Sequence, residues 1–148
     1  MKIKSRVKRG AQAGFTLMEI LAVITLIAFL MVLVVPNIVK VLSQGRIKNT
    51  QNQIHATENL LIQYYTDCGT YPTTEQGLQA LNEKPSNAPE GWNGPYTQNS
   101  RTKFNDSWNR PLKYKCPGDH NPDSYDLYSL GADGVEGGSG PNADIGNW

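Results

Sequence analysis

A single acidic residue lies near the start of a long apolar run at the N-terminal end of the chain. Residues 15–35 span 21 positions, of which 18 are apolar and one, Glu19, carries a charge. An ionised carboxylate at membrane depth costs about 3 kcal/mol even on lenient insertion scales. Glu19 therefore either reaches the membrane interface, one helical turn away, or pairs with a cation.

The nearest candidate cation is the α-amine that cleavage after Gly14 would expose at Phe15. Its ordinary pKa of about 8 leaves it largely protonated at neutral pH. An intermolecular pair has the better geometry, because every subunit in a stack then satisfies one amine and one Glu19 carboxylate. In a low-dielectric site such a pair also fixes the axial register, since a mispaired register leaves a charge alone.

Glycines and carboxylates concentrate at the C-terminal end. Residues 131–148 contain six glycines, two aspartates and one glutamate. The residues alone leave two interpretations open. One is a flexible polar tail, since this composition is consistent with disorder. The other is a Ca²⁺ site without the EF-hand pattern, since hard cations take about six to eight oxygens, including backbone carbonyls that glycine allows to approach.

Two cysteines and two histidines complete the set of reactive side chains. Cys68 and Cys116 form either a disulfide, which persists outside the cytoplasm and stabilises by about 2–4 kcal/mol, or two buried thiols. His55 and His120 have no neighbouring ligand at metal-site spacing. Nucleophile-elbow, phosphate-loop and dinucleotide motifs are absent from the sequence, so we expect no catalytic residues and no enzymatic activity.

The apolar run itself indicates the class of protein. At about 1.5 Å per residue it spans roughly 31 Å, enough to cross a hydrocarbon core about 30 Å thick. It is the one run of this length among 148 residues, which excludes a polytopic membrane protein and an ordinary soluble globule. A secretory signal peptide is disfavoured, because the run is too long and no small-x-small site follows it. We therefore predict a transmembrane helix over residues 15–35.

Charge predicts the orientation of this helix. Five of the 14 basic residues and none of the acidic ones lie within residues 1–14, whereas three basic residues follow the apolar run before residue 50. This asymmetry favours a cytoplasmic N-terminus and a C-terminal domain on the outer side of the membrane. Residues 15–148 carry nine basic and 13 acidic residues, a net charge of −4, so we expect no nucleic acid binding.

Residues 36–69 have the apolar periodicity of an amphipathic helix that continues the membrane helix. We expect Pro36 to kink or locally break it and Gly69 to end it. The positions with helical spacing, which we predict to form its packed face, are Ile38, Val41, Leu42, Ile47, Ile54, Leu60, Leu61, Tyr64 and Tyr65.

Residues 70–148 are predicted to form a small, loop-rich domain. Thr73 and Gln76 have the spacing of a capping box, which would begin a short helix ending near Asn82. Residues 111–116 and 125–130 are predicted to pair as antiparallel strands. We expect the core between these strands and the long helix to be filled by four aromatic residues, Trp92, Tyr96, Phe104 and Trp108.

The segment Gly-Phe-Thr-Leu-Met-Glu at residues 14–19, between basic residues and the apolar run, resembles the processing motif of type IV prepilins. In that family a membrane peptidase cuts after the glycine and N-methylates the new N-terminal phenylalanine. The resemblance implies that residues 1–14 are a cleaved leader, Phe15 the methylated N-terminus and Glu19 the assembly carboxylate. Methylation preserves the charge of the amine, so the pairing argument is unaffected.

Three later segments narrow the resemblance to the major pseudopilins of bacterial type II secretion systems. They are residues 71–78, residues 106–114 and the C-terminal residues 131–148. The second departs from the family pattern D-P-W-G-x-P-Y-x-Y at Ser107, Asn109 and Leu112. The resemblance implies an α+β, type IV pilin-like fold, with a long N-terminal helix packed on a small antiparallel sheet domain.

The resemblance also implies a structural Ca²⁺ ion. Its ligands would be the side chains of Asp133 and Asp144 and the backbone oxygens of Leu130 and Val135. The implied function is a homopolymer, a short periplasmic pseudopilus anchored in the inner membrane that drives folded exoproteins across the outer membrane. The implied partners are a prepilin peptidase, minor pseudopilins, an inner-membrane assembly platform with its cytoplasmic ATPase, and the outer-membrane secretin.

Two alternatives stay open at this point. An adhesive or motility type IV pilin shares the N-terminal motif, but usually has a larger head and a disulfide-bounded C-terminal loop. A bitopic periplasmic binding module would insert into the membrane without polymerising. Replacing Glu19 by alanine separates the polymerising classes from the binding module, which would lose nothing.

Overall fold

The computed structural model describes residues 14–99 and 101–148, apart from the side chain of Pro36. The predicted leader, residues 1–14, lies outside the described residues except for Gly14. The chain divides into two compact units, Met1–Val39 and Lys40–Trp148. Helix α1, Leu17–Cys68, contributes residues to both units.

In the first unit, α1 exposes apolar side chains on every side. Phe29 is 63% exposed and Val32 is 72% exposed, and the other large apolar side chains from Leu17 to Val35 are 47–79% exposed. Among the described residues, α1 is the one helix long and apolar enough to cross a membrane. A helix that is apolar all round requires lipid or other protein around it.

The local break predicted at Pro36 does not occur. Helix α1 continues through this position without interruption. Proline removes one N–H from the hydrogen-bond ladder. The amide side chain of Asn37 lies beside the affected turn and donates to the carbonyl oxygen of Leu33 at 3.1 Å. The carbonyl that loses its donor is that of Val32, so this bond lies beside the gap in the ladder and does not fill it.

In the second unit, the buried face of α1 is narrower than predicted. Ile54, Leu61 and Tyr64 are buried, whereas Tyr65 is 46% exposed and the predicted contributors Val41 and Leu42 are more than half exposed. Ile38, also predicted for this face, lies in the first unit and is 59% exposed. Two threonines, Thr50 and Thr57, are also buried on this face of the helix, although they are polar and were not predicted to be part of it. Their hydroxyls are satisfied, since Thr57 donates to the Gln53 carbonyl at 2.8 Å and Thr50 accepts from the Ser107 N–H at 3.1 Å.

The predicted short helix after α1 is present as a 3₁₀ helix, Gly77–Leu81, with Asn82 as its C-cap. The predicted capping box is present on the turn that precedes it. The Gln76 N–H donates to Thr73 Oγ1 at 3.2 Å, and the Thr73 N–H donates to Gln76 Oε1 at 2.9 Å. Leu78 and Leu81 of this helix are buried in the core.

The sheet has three antiparallel strands in the order β1-β2-β3. Strand β1 is Lys113–Lys115, β2 is Asp126–Ser129 and β3 is Ile145–Gly146. The predicted antiparallel pairing of the first two is confirmed, with Tyr114 opposite Leu127, although both strands are shorter than predicted. The third strand was missed, because two residues between aspartate and asparagine carry no alternating pattern.

The core consists of aliphatic and tyrosine side chains from the helix, the 3₁₀ turn and the sheet. The four aromatic residues expected to fill it are half-buried and pack against it from outside. Trp92 Nε1 donates to the Ala80 carbonyl at 3.0 Å, and the rings of Tyr64 and Tyr96 lie 5.6 Å apart. The buried apolar residues are Ile54, Leu61, Tyr64, Leu78, Ala80, Leu81, Leu112, Tyr125, Leu127 and Ile145.

Candidate functional site

The predicted processing site lies just outside the helix. Residues 14–16 are not helical, and α1 begins at Leu17. Thr16 is the N-cap, since its hydroxyl oxygen accepts from the Glu19 N–H at 3.2 Å. A Cβ atom built on Gly14 would meet no described atom within 4 Å. Packing against the described residues therefore does not require glycine at position 14, and the peptide bond after it lies outside the helix.

Glu19 lies in the first turn of α1, where the helix macrodipole favours a negative charge. Its side chain is exposed, and Phe15, four residues earlier, is 80% exposed. Both groups are accessible to a second subunit. The sequence interpretation missed the cap, although Thr16 and Glu19 have the S/T-x-x-E spacing that signals one.

The C-terminal loop has a defined, hydrogen-bonded backbone and is not a flexible polar tail. The Ala132 N–H donates to the Pro141 carbonyl at 2.9 Å, and the Gly134 N–H donates to the Leu130 carbonyl at 3.2 Å. The loop also contains a second 3₁₀ turn, Gly140–Asn142, and leads into β3. These bonds bring the predicted ligand segment at 130–135 close to the segment that carries Asp144.

Each predicted carboxylate ligand accepts one backbone hydrogen bond within the loop. Asp133 Oδ1 accepts from the Val135 N–H at 3.1 Å, and Asp144 Oδ2 accepts from the Gly137 N–H at 2.9 Å. The other oxygen of Asp144, Oδ1, is buried and has no hydrogen-bond partner among the described residues. A buried carboxylate oxygen without a partner is costly. A cation at this oxygen would remove the cost.

The donor atoms around the loop fit a hard cation. A Cβ on Gly131 would lie 2.5 Å from the Ala143 carbonyl oxygen, and one on Gly138 would lie 2.6 Å from that of Asn142, so these glycines permit close carbonyl packing. Among the described residues, no group of three or more His, Cys, Asp or Glu side chains gathers at one point. A cation here would therefore depend on two carboxylates and several carbonyl oxygens, a donor set suited to Ca²⁺.

A second acidic group lies beside the loop. Asp126 is 2% exposed and accepts from the N–H groups of Asp119 at 2.7 Å, His120 at 2.9 Å and Asn121 at 3.0 Å. Burial alone would raise the pKa of Asp126, but these backbone donors together hold it below its ordinary value. The carboxylate thereby organises the turn at residues 117–123. It borders a cavity of about 170 Å³ together with Glu136.

The two cysteines are free, half-buried thiols at the edge of the core. Burial raises the pKa of the Tyr64 hydroxyl to about 12, and the neighbouring Cys68 thiol adds to the effect. The backbone of Cys116 is held by Thr74, whose hydroxyl accepts from its N–H at 2.9 Å and donates to its carbonyl at 3.0 Å. A disulfide between the two stays a prediction.

The two histidines lie in different parts of the chain, and each is close to a different carboxylate. His55 Nδ1 lies 2.8 Å from a Glu58 carboxylate oxygen on the surface of α1. His120 Nδ1 lies 3.3 Å from an Asp126 oxygen in the turn before β2. Each therefore has a local carboxylate partner, as expected for surface histidines.

Comparison with known proteins gives the family. The family model for type II secretion system protein G matches residues 37–148. The chain is 41% identical over 141 residues to the type II secretion system core protein G of Pseudomonas aeruginosa, covering 95% of this chain and 98% of that protein. It is 39% identical over 139 residues to the protein of the same name from Escherichia coli (strain K12), covering 93% of this chain and 91% of that protein.

A solved structure resembles the fold described above. It is the crystal structure of the major pseudopilin from the type 2 secretion system of enterohaemorrhagic Escherichia coli. The TM-score is 0.60 at 31% sequence identity, and the match covers 72% of this chain and 85% of that chain. The long helix, the small antiparallel sheet and the sequence matches agree, so this chain belongs to the type II secretion system protein G family.

Proposed function

We propose that this chain is the major pseudopilin of a type II secretion system. Its processed subunits polymerise into a short periplasmic pseudopilus, which drives folded exoproteins across the outer membrane. The observation that carries this function is the exposed apolar surface of α1 with one charged group in its first turn, in a chain of the protein G family. Such a surface is suited to packing helix against helix within a filament.

The N-terminus is processed between Gly14 and Phe15, and the new amine of Phe15 is methylated. Two features support this. The bond lies outside the helix, and a side chain at position 14 would meet no atom of the described residues, so the glycine is consistent with recognition by a peptidase. The leader that is removed carries the basic residues that hold the N-terminus in the cytoplasm before cleavage.

The Glu19 carboxylate pairs with the Phe15 amine of a neighbouring subunit. Within the membrane this pair neutralises both charges and fixes the axial position of each added subunit. The adhesive pilin and the non-polymerising module are not favoured by any feature of the described residues.

The partners follow from this role. They are the prepilin peptidase, the minor pseudopilins, the inner-membrane assembly platform with its cytoplasmic ATPase, and the outer-membrane secretin through which exoproteins leave. The apolar helix remains in the inner membrane until assembly, and the sheet domain lies in the periplasm.

The C-terminal loop holds a structural Ca²⁺ ion. Asp133 and Asp144 supply side-chain oxygens, and Leu130 and Val135 supply carbonyl oxygens. The unpartnered Asp144 Oδ1 and the carbonyl-rich packing of Gly131 and Gly138 support this assignment. The Leu130 carbonyl already accepts one hydrogen bond, but its second lone pair is available. When bound, the cation supplies charge neutralisation and ties the loop into one conformation.

Glu19→Ala tests the assembly function. We expect the variant to insert into the inner membrane normally but to form no filaments and to export no exoprotein. Thr25→Ala is the matched control, because Thr25 is another polar residue of the apolar run and its hydroxyl bonds only to the Leu21 carbonyl of its own helix among the described residues. Filaments of wild-type abundance in Glu19→Ala would contradict the proposal.

Intact mass tests the processing step. The purified subunit should begin at Phe15 and carry one additional methyl group. A mature chain that retains residues 1–14 would refute it.

A further inference from the structure

Arg110 connects the start of the C-terminal loop to a buried aspartate. Its Nη2 donates to the carbonyl oxygen of Gly131, and its Nε lies 3.6 Å from Oδ2 of Asp106. The guanidinium also lies directly against Gly134, where any Cβ atom would overlap Nη1. Arg110 therefore contacts both ends of the turn at residues 131–134.

Asp106 is itself held rigidly. It is 5% exposed, and its Oδ1 accepts from the N–H groups of Trp108 and Arg110, each at 2.9 Å. Its Oδ2 accepts from the hydroxyl of Ser129 at 2.6 Å. Ser129 is the last residue of β2, so the aspartate joins the 106–110 turn to the sheet directly before Leu130.

The turn that Arg110 contacts carries two of the proposed cation donors. Leu130 precedes it and Asp133 lies within it. Gly131 and Gly134 adopt positive φ angles of 62° and 75°, a backbone path that most residues disfavour. A hydrogen bond to the Gly131 carbonyl restricts rotation of the adjoining peptide units, including the one that carries the Leu130 carbonyl.

We propose that Arg110, oriented by Asp106 and Ser129, is a positioning residue that presets the 130–135 turn for cation binding. This inference rests on the Ca²⁺ site proposed above. Preset donors lose less conformational freedom when the cation binds, so the contact raises affinity without touching the ion. Supporting groups of this kind usually change metal affinity by about 10- to 100-fold.

A positioning role and a purely electrostatic role of Arg110 predict opposite effects on Ca²⁺ affinity when the residue is replaced. A positive guanidinium near a cation site repels the ion, so its charge alone would weaken binding. If charge dominates, Arg110→Met binds Ca²⁺ more tightly and Arg110→Lys binds it unchanged. If positioning dominates, both variants bind it more weakly, because lysine keeps the charge but lacks the planar fork that reaches Asp106 and Gly131 together.

The experiment is calorimetric titration of CaCl₂ into the full-length chain in detergent micelles, after removal of cations with EDTA. We expect the Kd for Ca²⁺ to rise about tenfold in both Arg110 variants. Lys113→Met is the matched control, since Lys113 borders the same cavity as Asp106, Arg110 and Leu130 and carries the same charge. Its Kd should stay within about twofold of wild type, as expected for a screened surface charge.

Ser129→Ala serves as a second variant, should the Arg110 variants fail to fold. It removes one anchor of Asp106 and should also raise the Kd, while an unchanged value would overturn the inference. Kd values equal to that of the wild type in both Arg110 variants would also overturn the positioning role, but would not contradict the Ca²⁺ site. Absence of heat in the wild type would instead refute the site itself, and the positioning role with it.

Discussion

The imidazole of His120 stacks on the indole of Trp148, with ring centroids 3.9 Å apart and planes inclined by 4°. His120 belongs to the turn that Asp126 organises, and Trp148 follows β3. The indole also lies against Gly146, where a Cβ would approach it to 2.5 Å, and near Tyr128, at 5.4 Å. The stack thus fastens the end of the sheet to the turn before β2.

We expect Trp148→Ala to lower the free energy of unfolding by about 1–2 kcal/mol, through lost aromatic contact and apolar burial. Urea unfolding of the full chain in detergent, followed by the fluorescence of Trp92 and Trp108, measures the change. Trp148→Phe keeps an aromatic ring and should cost about half as much. Equal stability of Trp148→Ala and wild type would show that the stack does not contribute.

Asp126 should make the domain sensitive to acid. Its pKa is lowered in the folded state, so its contribution to stability is present above the unfolded value, near 3.8, and is lost as pH falls through the folded value. We expect Asp126→Asn to cost about 2–3 kcal/mol at neutral pH, because several charge-assisted bonds are weakened.

The measurement is the difference in unfolding free energy between wild type and Asp126→Asn across pH 2–7 (roughly the range of carboxylate titration). This difference should shrink below about pH 4, since protonation removes the same charge in the wild type. The comparison cancels the other carboxylates. A difference that is constant across the range would exclude the ionised carboxylate as the cause.

Chelation should destabilise the domain. Adding EDTA to purified full-length protein should lower its Tm, because ligand binding to the folded state adds stability in proportion to the logarithm of cation concentration. Asp133→Ala and Asp144→Ala should each abolish the response. Asp123→Ala is the control, since Asp123 is an exposed aspartate of the turn before β2 and does not line the cavity that Asp144 borders. A wild-type Tm that is unaffected by EDTA would contradict a bound cation.

Gly91→Ala should be strongly destabilising. A Cβ at Gly91 would lie 2.0 Å from the carbonyl oxygen of Asp67, a backbone atom in the last turn of α1, so the loop must move away from the helix end. We expect a loss of about 2–3 kcal/mol, as for other overpacked sites. Gly45→Ala is the control. Apart from the backbone of its own helical turns, no described atom lies within 4 Å of a Cβ at this position, and a helical alanine should stabilise by about 0.5–1 kcal/mol. Unfolding by urea distinguishes the two.

Sequence reasoning was strongest where the pattern is local. The capping box of Thr73 and Gln76 and the antiparallel pairing around Tyr114 were predicted, because each depends on residue types at fixed short spacing. Strand β3 was not predicted, since a two-residue strand is stabilised by its partner rather than by its own composition. The buried Thr50 of α1 was also missed, because the partner of its hydroxyl, the Ser107 N–H, lies more than 50 residues away in the sequence.

The candidate site likewise contains residues that the sequence indicated and one that it did not. Glu19 and the C-terminal aspartates stand out by composition, whereas Arg110 does not. Its importance arises only when the chain brings residue 110 beside Gly131 and Gly134. No periodicity or motif in the sequence predicts that contact, and a lone arginine in a loop is normally a solvated surface residue.

The buried face of α1 has a consequence for the order of events during synthesis. Thr50 accepts a hydrogen bond from Ser107, and the ring of Tyr64 packs against that of Tyr96. The helix therefore leaves the ribosome well before the segments that cover it. Until those segments follow, the nascent chain exposes both a lipid-soluble half and an uncovered apolar stripe. Early delivery to a translocon, or shielding by a chaperone, would keep such a chain from aggregating.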